Sequence, residues 1–253
     1  MKVRFDVMYN NIASDAAPGL NDYEVSLFLT MAEKEIMKNY FNPKGNKYQE
    51  GYDGSPKRQI DFSNVTKVLT VTSTGEGGGE GGDETTSTPV FQAPVFDNRS
   101  TSRSTVFPSD VWFPIHERVV VLREGKAVNL KVVPITYGEY DRLMSKPFKY
   151  PLKYQAWRLL NTSDERSADI VVGPNDSISE YTIRYVRKPL PIIVGSIEGY
   201  TIDGYPTEET TAPIPCELDP MLHEEILQRA VELAKAAWQG DLNATMQMGQ
   251  RSE

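Results

Sequence analysis

Few residues of this chain have the types and spacing that catalysis or metal binding requires. The chain holds 2 histidines and 1 cysteine, whereas a structural zinc site needs four such ligands. His223 opens the sequence HEEIL, which lacks the second histidine of the HExxH zinc motif. The acidic residues after His223 suit the solvated first turn of a helix, whose N-terminus carries partial positive charge. We therefore expect no metal and no cofactor.

The possible nucleophiles have no better support. The sequence contains no GxSxG nucleophile elbow. Cys216 precedes Glu217, and an adjacent carboxylate raises the pKa of a thiol instead of activating it, so Cys216 is expected to be a buried structural residue. His116 is expected at the surface. A Ser–His–Asp triad stays open, because its members meet only in space. The sequence nevertheless favours a protein that is not an enzyme, with no catalytic residue.

Aromatic residues carry more information. They make up 10% of the chain, and many stand beside proline or glycine, as in Phe107–Pro108, Trp112–Phe113–Pro114 and Tyr150–Pro151. Tyrosine and tryptophan in irregular segments suit large protein–protein contacts. Ordinary packing explains many of them, and carbohydrate stacking is a third interpretation.

Composition limits the class of protein. The chain has 253 residues, of which 39% are hydrophobic and 25% charged, which predicts one or two globular domains. With 27 Lys+Arg against 35 Asp+Glu, the net charge is −8. A protein that binds phosphates over its whole surface is normally basic, and this chain is not, although a local basic patch stays open. One cysteine excludes an intramolecular disulfide framework. We expect neither a membrane span nor a signal peptide, because no apolar stretch is long enough.

The two ends of the chain predict amphipathic helices. Leu20–Phe41 begins with a capping box, Asn21 and Glu24, and its apolar residues recur at helical spacing. Near the C-terminus, Asp219 is a helix cap and Pro220 takes the first helical position. The apolar stripe of this second helix is Leu222, Ile226, Ala230, Leu233, Ala234 and Ala237. Its alanines allow another helix to approach closely, and the N-terminal helix is the expected partner.

The middle of the chain predicts β structure. Glu124–Gly125 between two apolar alternating runs indicates a hairpin, and Thr136 with Glu139 caps a short helix that ends at Met144. Pro189 and Pro191 suggest that the last strand lies at a sheet edge. The other predicted strands are Ile60–Thr72, Tyr154–Leu160, Ile170–Val172 and Ser179–Arg187.

Three further segments read as loops or tails. Asn42–Pro56 is rich in glycine, proline and aromatics, which predicts a packed surface loop or a lasso over a neighbour. Ser73–Thr88 is glycine-rich and acidic, so we expect a flexible excursion that cradles no phosphate. The tail Asp241–Glu253 is expected to be extended or to order on binding.

These elements predict an α+β fold, in which N- and C-terminal amphipathic helices pack together beside a β-rich middle module with one short helix. We predict three parts. Residues 1–60 are an N-terminal arm, helix and loop, and they form a helical module together with 216–240. Residues 61–215 form a β-rich module with the glycine-rich insertion 73–88, and residues 216–253 are the C-terminal helix and extended tail.

Four segments together resemble a known family. They are Tyr40–Val65, Pro134–Leu160, Tyr181–Val194 and Glu217–Trp238, the last opening its helix with Asp-Pro. The set resembles virion structural proteins of crAss-like, short-tailed bacteriophages, and is most similar to a head–tail connector ring protein, the adaptor beneath the portal.

The resemblance implies a structural protein of the virion neck or tail, made in the host cytoplasm and without catalytic residues. It implies a homo-oligomeric ring, typically twelvefold, that contacts the portal protein and adjacent tail ring proteins and bridges the capsid vertex to the tail. DNA would pass through the ring without sequence-specific binding, and the ring would contact no membrane. The predicted inter-subunit helix-packing residues are Val25, Phe28, Ile36, Ile226, Ala230, Leu233 and Ala237. The predicted partner-contact residues of the loops and tail are Tyr48, Tyr52, Trp238, Met246 and Met248.

Two other functions fit the same sequence. A carbohydrate-binding tail or fibre module would use the β-rich middle and the exposed aromatics. A cell-wall hydrolase would need a catalytic carboxylate, and no carboxylate pair is marked out by its position.

Overall fold

The computed structural model describes residues 1–12, 19–42, 52, 55–72, 101–146, 149, 151, 153–161, 167–195, 200–204 and 213–239. The chain divides into two units. The helical unit is Met1–Val65 with Pro189–Glu253, and the sheet unit is Thr66–Lys188. The helices are α1 (Lys2–Ile12), α2 (Asp22–Phe41), α3 (Pro56–Asp61), α4 (Tyr137–Met144) and α5 (His223–Gln239). The strands are β1 (Thr66–Thr72), β2 (Thr101–Val106), β3 (Val111–Arg123), β4 (Lys126–Pro134), β5 (Gln155–Asn161), β6 (Ser167–Val172) and β7 (Ser177–Arg187). The predicted α+β class is confirmed.

The predicted helix caps are confirmed at both ends of the chain. The Asn21 side chain accepts from the Glu24 backbone N–H at 2.8 Å, and the Glu24 carboxylate accepts from the Asn21 backbone N–H at 2.9 Å. The Asp219 carboxylate accepts from the Met221 N–H at 2.9 Å and starts a 3-10 turn, Pro220–Leu222, that leads into α5. None of the described helices is long and apolar enough to cross a membrane.

An extended segment after Pro189 runs against the buried face of α2. The Thr30 hydroxyl accepts from the Ile192 N–H at 3.1 Å, and the Ser26 hydroxyl accepts from the Val194 N–H at 3.1 Å. Ile193 forms an antiparallel bridge with Ile214. Because a buried N–H without a partner is costly, these hydroxyls let a non-helical segment pack against the helix.

The sheet unit is built on one seven-stranded sheet. The strand order is β1-β7-β3-β4-β5-β6-β2, and every pairing is antiparallel except β4 with β5. The sheet is curled, so that β2 also approaches β7. Its interior holds apolar side chains from six of the strands, including Val71, Val119, Leu130, Ile170 and Tyr181, and from Phe107, which follows β2.

The connection from β4 to β5 crosses the outer side of the sheet. Parallel neighbours need such a crossover, and α4 supplies it from the predicted capping box of Thr136 and Glu139. Tyr140 of α4 meets Trp157 of β5 edge to face, with ring centroids 6.4 Å apart. Helix α4 therefore covers the outer side of β5 and β6.

The predicted hairpin of β3 and β4 is confirmed, and its turn explains the Glu-Gly pair. Glu124 has φ 51° and Gly125 has φ 77°. Two successive positive φ angles define the type I′ turn, whose twist matches that of paired strands.

Two predictions from the sequence were wrong. Residues 60–65 are not strand: Ser55 caps the short helix α3, Pro56 takes its first position, and a 3-10 turn follows at Ser63–Val65. Strand β7 is not an edge, because it pairs with β1 on one side and β3 on the other. Pro189 and Pro191 follow the strand instead of lying in it. The segments 43–51, 73–88 and 241–253 lie outside the described residues.

Candidate assembly surface

Helices α2 and α5 contact each other within the helical unit. Val25 and Ile36 of α2 and Ile226 and Ala230 of α5 are all buried. The apolar stripes that the sequence marks out therefore contribute to the core of a single subunit.

A forked ion pair joins the two helices beside this core. The Nε and Nη2 atoms of Arg229 donate to the two oxygens of Glu35, at 2.9 and 2.6 Å. The Nη1 atom donates to Glu232 at 2.9 Å. A bidentate guanidinium–carboxylate pair is both stronger and more directional than a single charged contact, so it fixes α5 against α2. The pair lines a shallow cleft of about 200 Å³ between the helices, whose walls carry Glu225 and Asn39 as well.

A second polar cluster ties α3 to the same pair of helices. The guanidinium carbon of Arg58 lies 3.6 Å from the centroid of the Tyr40 ring. Arg58 is buried and forms an ion pair with Asp61 at 3.3 Å. The Tyr40 hydroxyl donates to Glu225 of α5. Burial, aided by that hydrogen bond, raises the pKa of Tyr40 to about 12, so the phenol is a neutral donor at physiological pH.

Cys216 is held in an unreactive state. Its thiol donates to the buried Glu33 carboxylate at 3.2 Å. Burial raises the pKa of the thiol, and the charge of Glu33 raises it further. Since the thiolate is the nucleophilic form, this position is structural, although Cys216 is only partly buried.

The sheet interior holds a separate ionic network. Arg158 Nε lies 3.0 Å from Glu117 Oε2, and the Tyr181 hydroxyl donates to the same oxygen at 3.1 Å. Burial raises the pKa of Glu117, while the charge of Arg158 opposes that change. Because Arg158 and Tyr181 are both buried, this network stabilises the interior of the sheet.

The structure places the remaining predicted residues as follows. Phe28 and Leu233 are partly buried, and Ala237 is exposed. Tyr52 is buried inside the subunit, where its ring lies 6.0 Å from that of Phe41. Tyr48, Met246, Met248 and the side chain of Trp238 lie outside the described residues.

The described part of the chain offers little for catalysis. No group of three or more His, Cys, Asp or Glu side chains there is arranged to hold a metal ion. His223 is occupied in its own helix start, with Nε2 3.1 Å from the Leu218 carbonyl oxygen. His116 is exposed on β3.

Comparison with known proteins decides the family. Residues 2–246 match the family described as phage tail ring protein 3/4. This chain belongs to that family. It is 48% identical to Ring protein 4/5 of Bacteroides phage crAss001 over 254 residues, which cover 98% of this chain and 96% of the relative. It is 28% identical to Ring protein 3 of the same phage over 239 residues, which cover 91% of each chain.

Membership in the phage tail ring protein 3/4 family confirms the resemblance found in the sequence. This is a family of phage structural ring proteins, not of enzymes, and its members are virion components that assemble with other tail ring proteins. The two polar clusters of the ring protein's helical unit were not predicted. Arg58 and Arg229 have no distinctive sequence context, and the partners that join them to α2, Tyr40 and Glu35, are remote in sequence.

Proposed function

We propose that this chain forms a homo-oligomeric ring in the head–tail connector, beneath the portal, and that this ring bridges the capsid vertex to the tail. Its near full-length match to phage ring proteins is the observation that carries the proposal. The proposed partners are copies of itself, which form a twelvefold ring, the portal protein, and the adjacent tail ring proteins.

The helical unit supplies the rigid body of this ring. The forked pair of Arg229 and Glu35 and the cluster around Tyr40 fix its helices to one another. Of the predicted inter-subunit residues, Val25, Ile36, Ile226 and Ala230 are buried within the subunit. Phe28, Leu233 and Ala237 reach the surface, so they are the members proposed to contact the next subunit.

The ring is proposed to form part of the DNA channel. Twelve copies at −8 each carry 12 × (−8) = −96. The acidic excess comes from the helical unit, which has 11 Lys+Arg and 20 Asp+Glu against 16 and 15 in the sheet unit. An acidic lumen would repel phosphates and let DNA slide without binding it. A lumen lined by basic or neutral side chains would contradict this part of the proposal.

The tail is proposed to dock on the portal. Deleting Asp241–Glu253, which contains Met246 and Met248, should weaken portal capture in a pull-down and leave the thermal unfolding of the subunit unchanged. The decisive observation is an image of the virion neck with this chain traced in it. Absence of the chain from mature particles, or a single copy per virion, would overturn the ring.

A further inference from the structure

The outer side of the sheet unit carries a row of cations. Side chains alternate along β3, β4 and β7, so that Val119, Leu130 and Ile183 are buried, and their neighbours point outward. Those neighbours are exposed cationic or titratable residues that we call the basic sheet face: His116, Arg118, Lys131 and Arg184. The row lies beside the region that α4 covers, which reaches Val133 at the end of β4.

The register sets two cations directly opposite each other, because Arg118 of β3 is the partner of Lys131 of β4. A third cation, Arg184 of β7, lies opposite His116 of β3. Like charges in such cross-strand positions destabilise a sheet. Arg118 approaches Glu180 only at 3.9 Å, and within the described ranges no carboxylate lies within 4.0 Å of Lys131 or Arg184. An anionic partner would relieve this repulsion.

Apolar side chains flank the row. Val68 of β1, which is the partner of Arg184 of β7, is 63% exposed. Leu122, near the end of β3, is 45% exposed. Arginine mixed with aliphatic surface is typical of a protein interface, whereas a nucleic-acid surface is dominated by contacts to phosphates. The face therefore fits an acidic protein segment.

The chain itself contains a segment of that chemistry. Gly75–Glu84 has four carboxylates, at Glu76, Glu80, Asp83 and Glu84, and no basic residue. Its glycines carry no side chains that would obstruct contact with another surface. Glu35 and Glu225 of the helical unit are already engaged, Glu35 with Arg229 and Glu225 with Tyr40.

We propose that the basic sheet face of one subunit binds the acidic segment Gly75–Glu84 of a second copy. This inference rests on the proposed ring. It adds a head-to-tail contact, in which one surface of a subunit binds a different surface of the next subunit. Such a heterologous contact closes into a ring when the rotation between subunits allows it.

Three full-length variants test the contact by sedimentation at low salt. The face variant is Arg118→Glu/Lys131→Glu. The segment variant is Glu76→Gln/Glu80→Gln/Asp83→Asn/Glu84→Gln. The control is Lys126→Glu/Arg142→Glu, which changes the net charge as much as the face variant does, at exposed sites off the face.

The face and segment variants should each self-associate roughly tenfold or more weakly than wild type, because the first replaces attraction by repulsion and the second removes the negative charges that the face attracts. The control should stay within about twofold of wild type, because its reversed charges lie off the contact. Mixing the face and segment variants should form heterodimers, since one intact face then meets one intact segment. Higher salt should weaken all association.

Each alternative gives a different result. Face and segment variants that assemble like wild type would overturn the contact but leave the ring. If the face variant and the segment variant both lose self-association and form no heterodimer on mixing, the acidic segment binds the face of its own subunit. That result would overturn the contact between copies. Retention of duplex DNA by wild type but not by the face variant, without a change in self-association, would assign the face to nucleic acid instead. A wild type that forms no oligomer, alone or in virions, would overturn the ring itself.

Discussion

The ion pair between Arg158 and Glu117 predicts a specific pattern of stability changes. The two side chains are 10% and 9% exposed, and their charged atoms are 3.0 Å apart. Arg158→Met removes the cation and keeps much of the aliphatic volume. It leaves the Glu117 carboxylate buried with only the Tyr181 hydroxyl as a partner. The sheet unit should therefore lose stability.

The distance gives the size of the effect. At 3.0 Å and an effective dielectric constant of about 20, the attraction is roughly 5.5 kcal/mol, and much of it offsets the cost of removing two charges from water. Breaking such a pair on one side costs about 3–5 kcal/mol. We expect this loss in the free energy of unfolding for Arg158→Met near neutral pH. The double variant Glu117→Gln/Arg158→Met should recover more than about 2 kcal/mol of it, because no buried charge remains.

The pH dependence follows from the pKa of Glu117. Burial raises this pKa above that of the unfolded chain, so the folded state binds the proton more tightly. The resulting stabilisation is complete below the unfolded-state pKa and is lost as the pH rises through the folded-state pKa. Without Arg158, whose charge lowers the pKa, the folded-state pKa of Glu117 rises further. The loss in the free energy of unfolding caused by Arg158→Met should therefore become smaller as the pH falls to values at which carboxyl groups are protonated.

Urea unfolding followed by tryptophan fluorescence measures these quantities, because Trp112 and Trp157 both lie in the sheet unit. Arg142→Met, at an exposed site on α4, is the control and should change stability by less than about 0.5 kcal/mol. A loss below about 1 kcal/mol for Arg158→Met, or a loss that is the same in acid as at neutral pH, would refute the reasoning.

Three further predictions concern local features. Asp219→Ala should cost about 0.5–2 kcal/mol in thermal unfolding, because the Met221 N–H loses its acceptor; Asp219→Asn, which keeps the cap, should not. Gly125→Ala should destabilise the hairpin by about 1 kcal/mol, since its φ is 77°, and Glu124→Gly, at φ 51°, should be neutral or stabilising; equal effects from both would contradict the turn. Cys216 in the native protein should react with iodoacetamide at least about tenfold more slowly than in the urea-unfolded chain, because burial raises its pKa; equal rates would show an open site.

Local signals predicted the helix ends and the hairpin well. The capping boxes at Asn21 and Thr136 and the Glu124–Gly125 turn each act over a few residues, so their side chains specify the geometry directly. The ring-protein family was recognisable from four segments taken together, because their order adds information that no single motif has.

Features that depend on distant partners were not predictable. α1 was missed because its residues show only a weak apolar periodicity, and Phe5 and Tyr9 become buried through tertiary contacts. The sequence gives no sign that Ser26 and Thr30 of α2 order the segment after Pro189, because the two parts are far apart along the chain. The network of Glu117 and Arg158 joins strands that are not neighbours in sequence. Such pairs carry no spacing signal, so only the fold reveals them.

The helical unit is assembled from the first and the last parts of the chain, with the whole sheet unit encoded between them. During synthesis, α2 therefore leaves the ribosome long before α5 exists to cover its apolar side. The sheet unit can finish folding in that interval, since domains fold as units while the chain emerges. A polypeptide released early lacks α5 and carries an unfinished helical body. A complete helical unit therefore requires a chain that has been translated through α5.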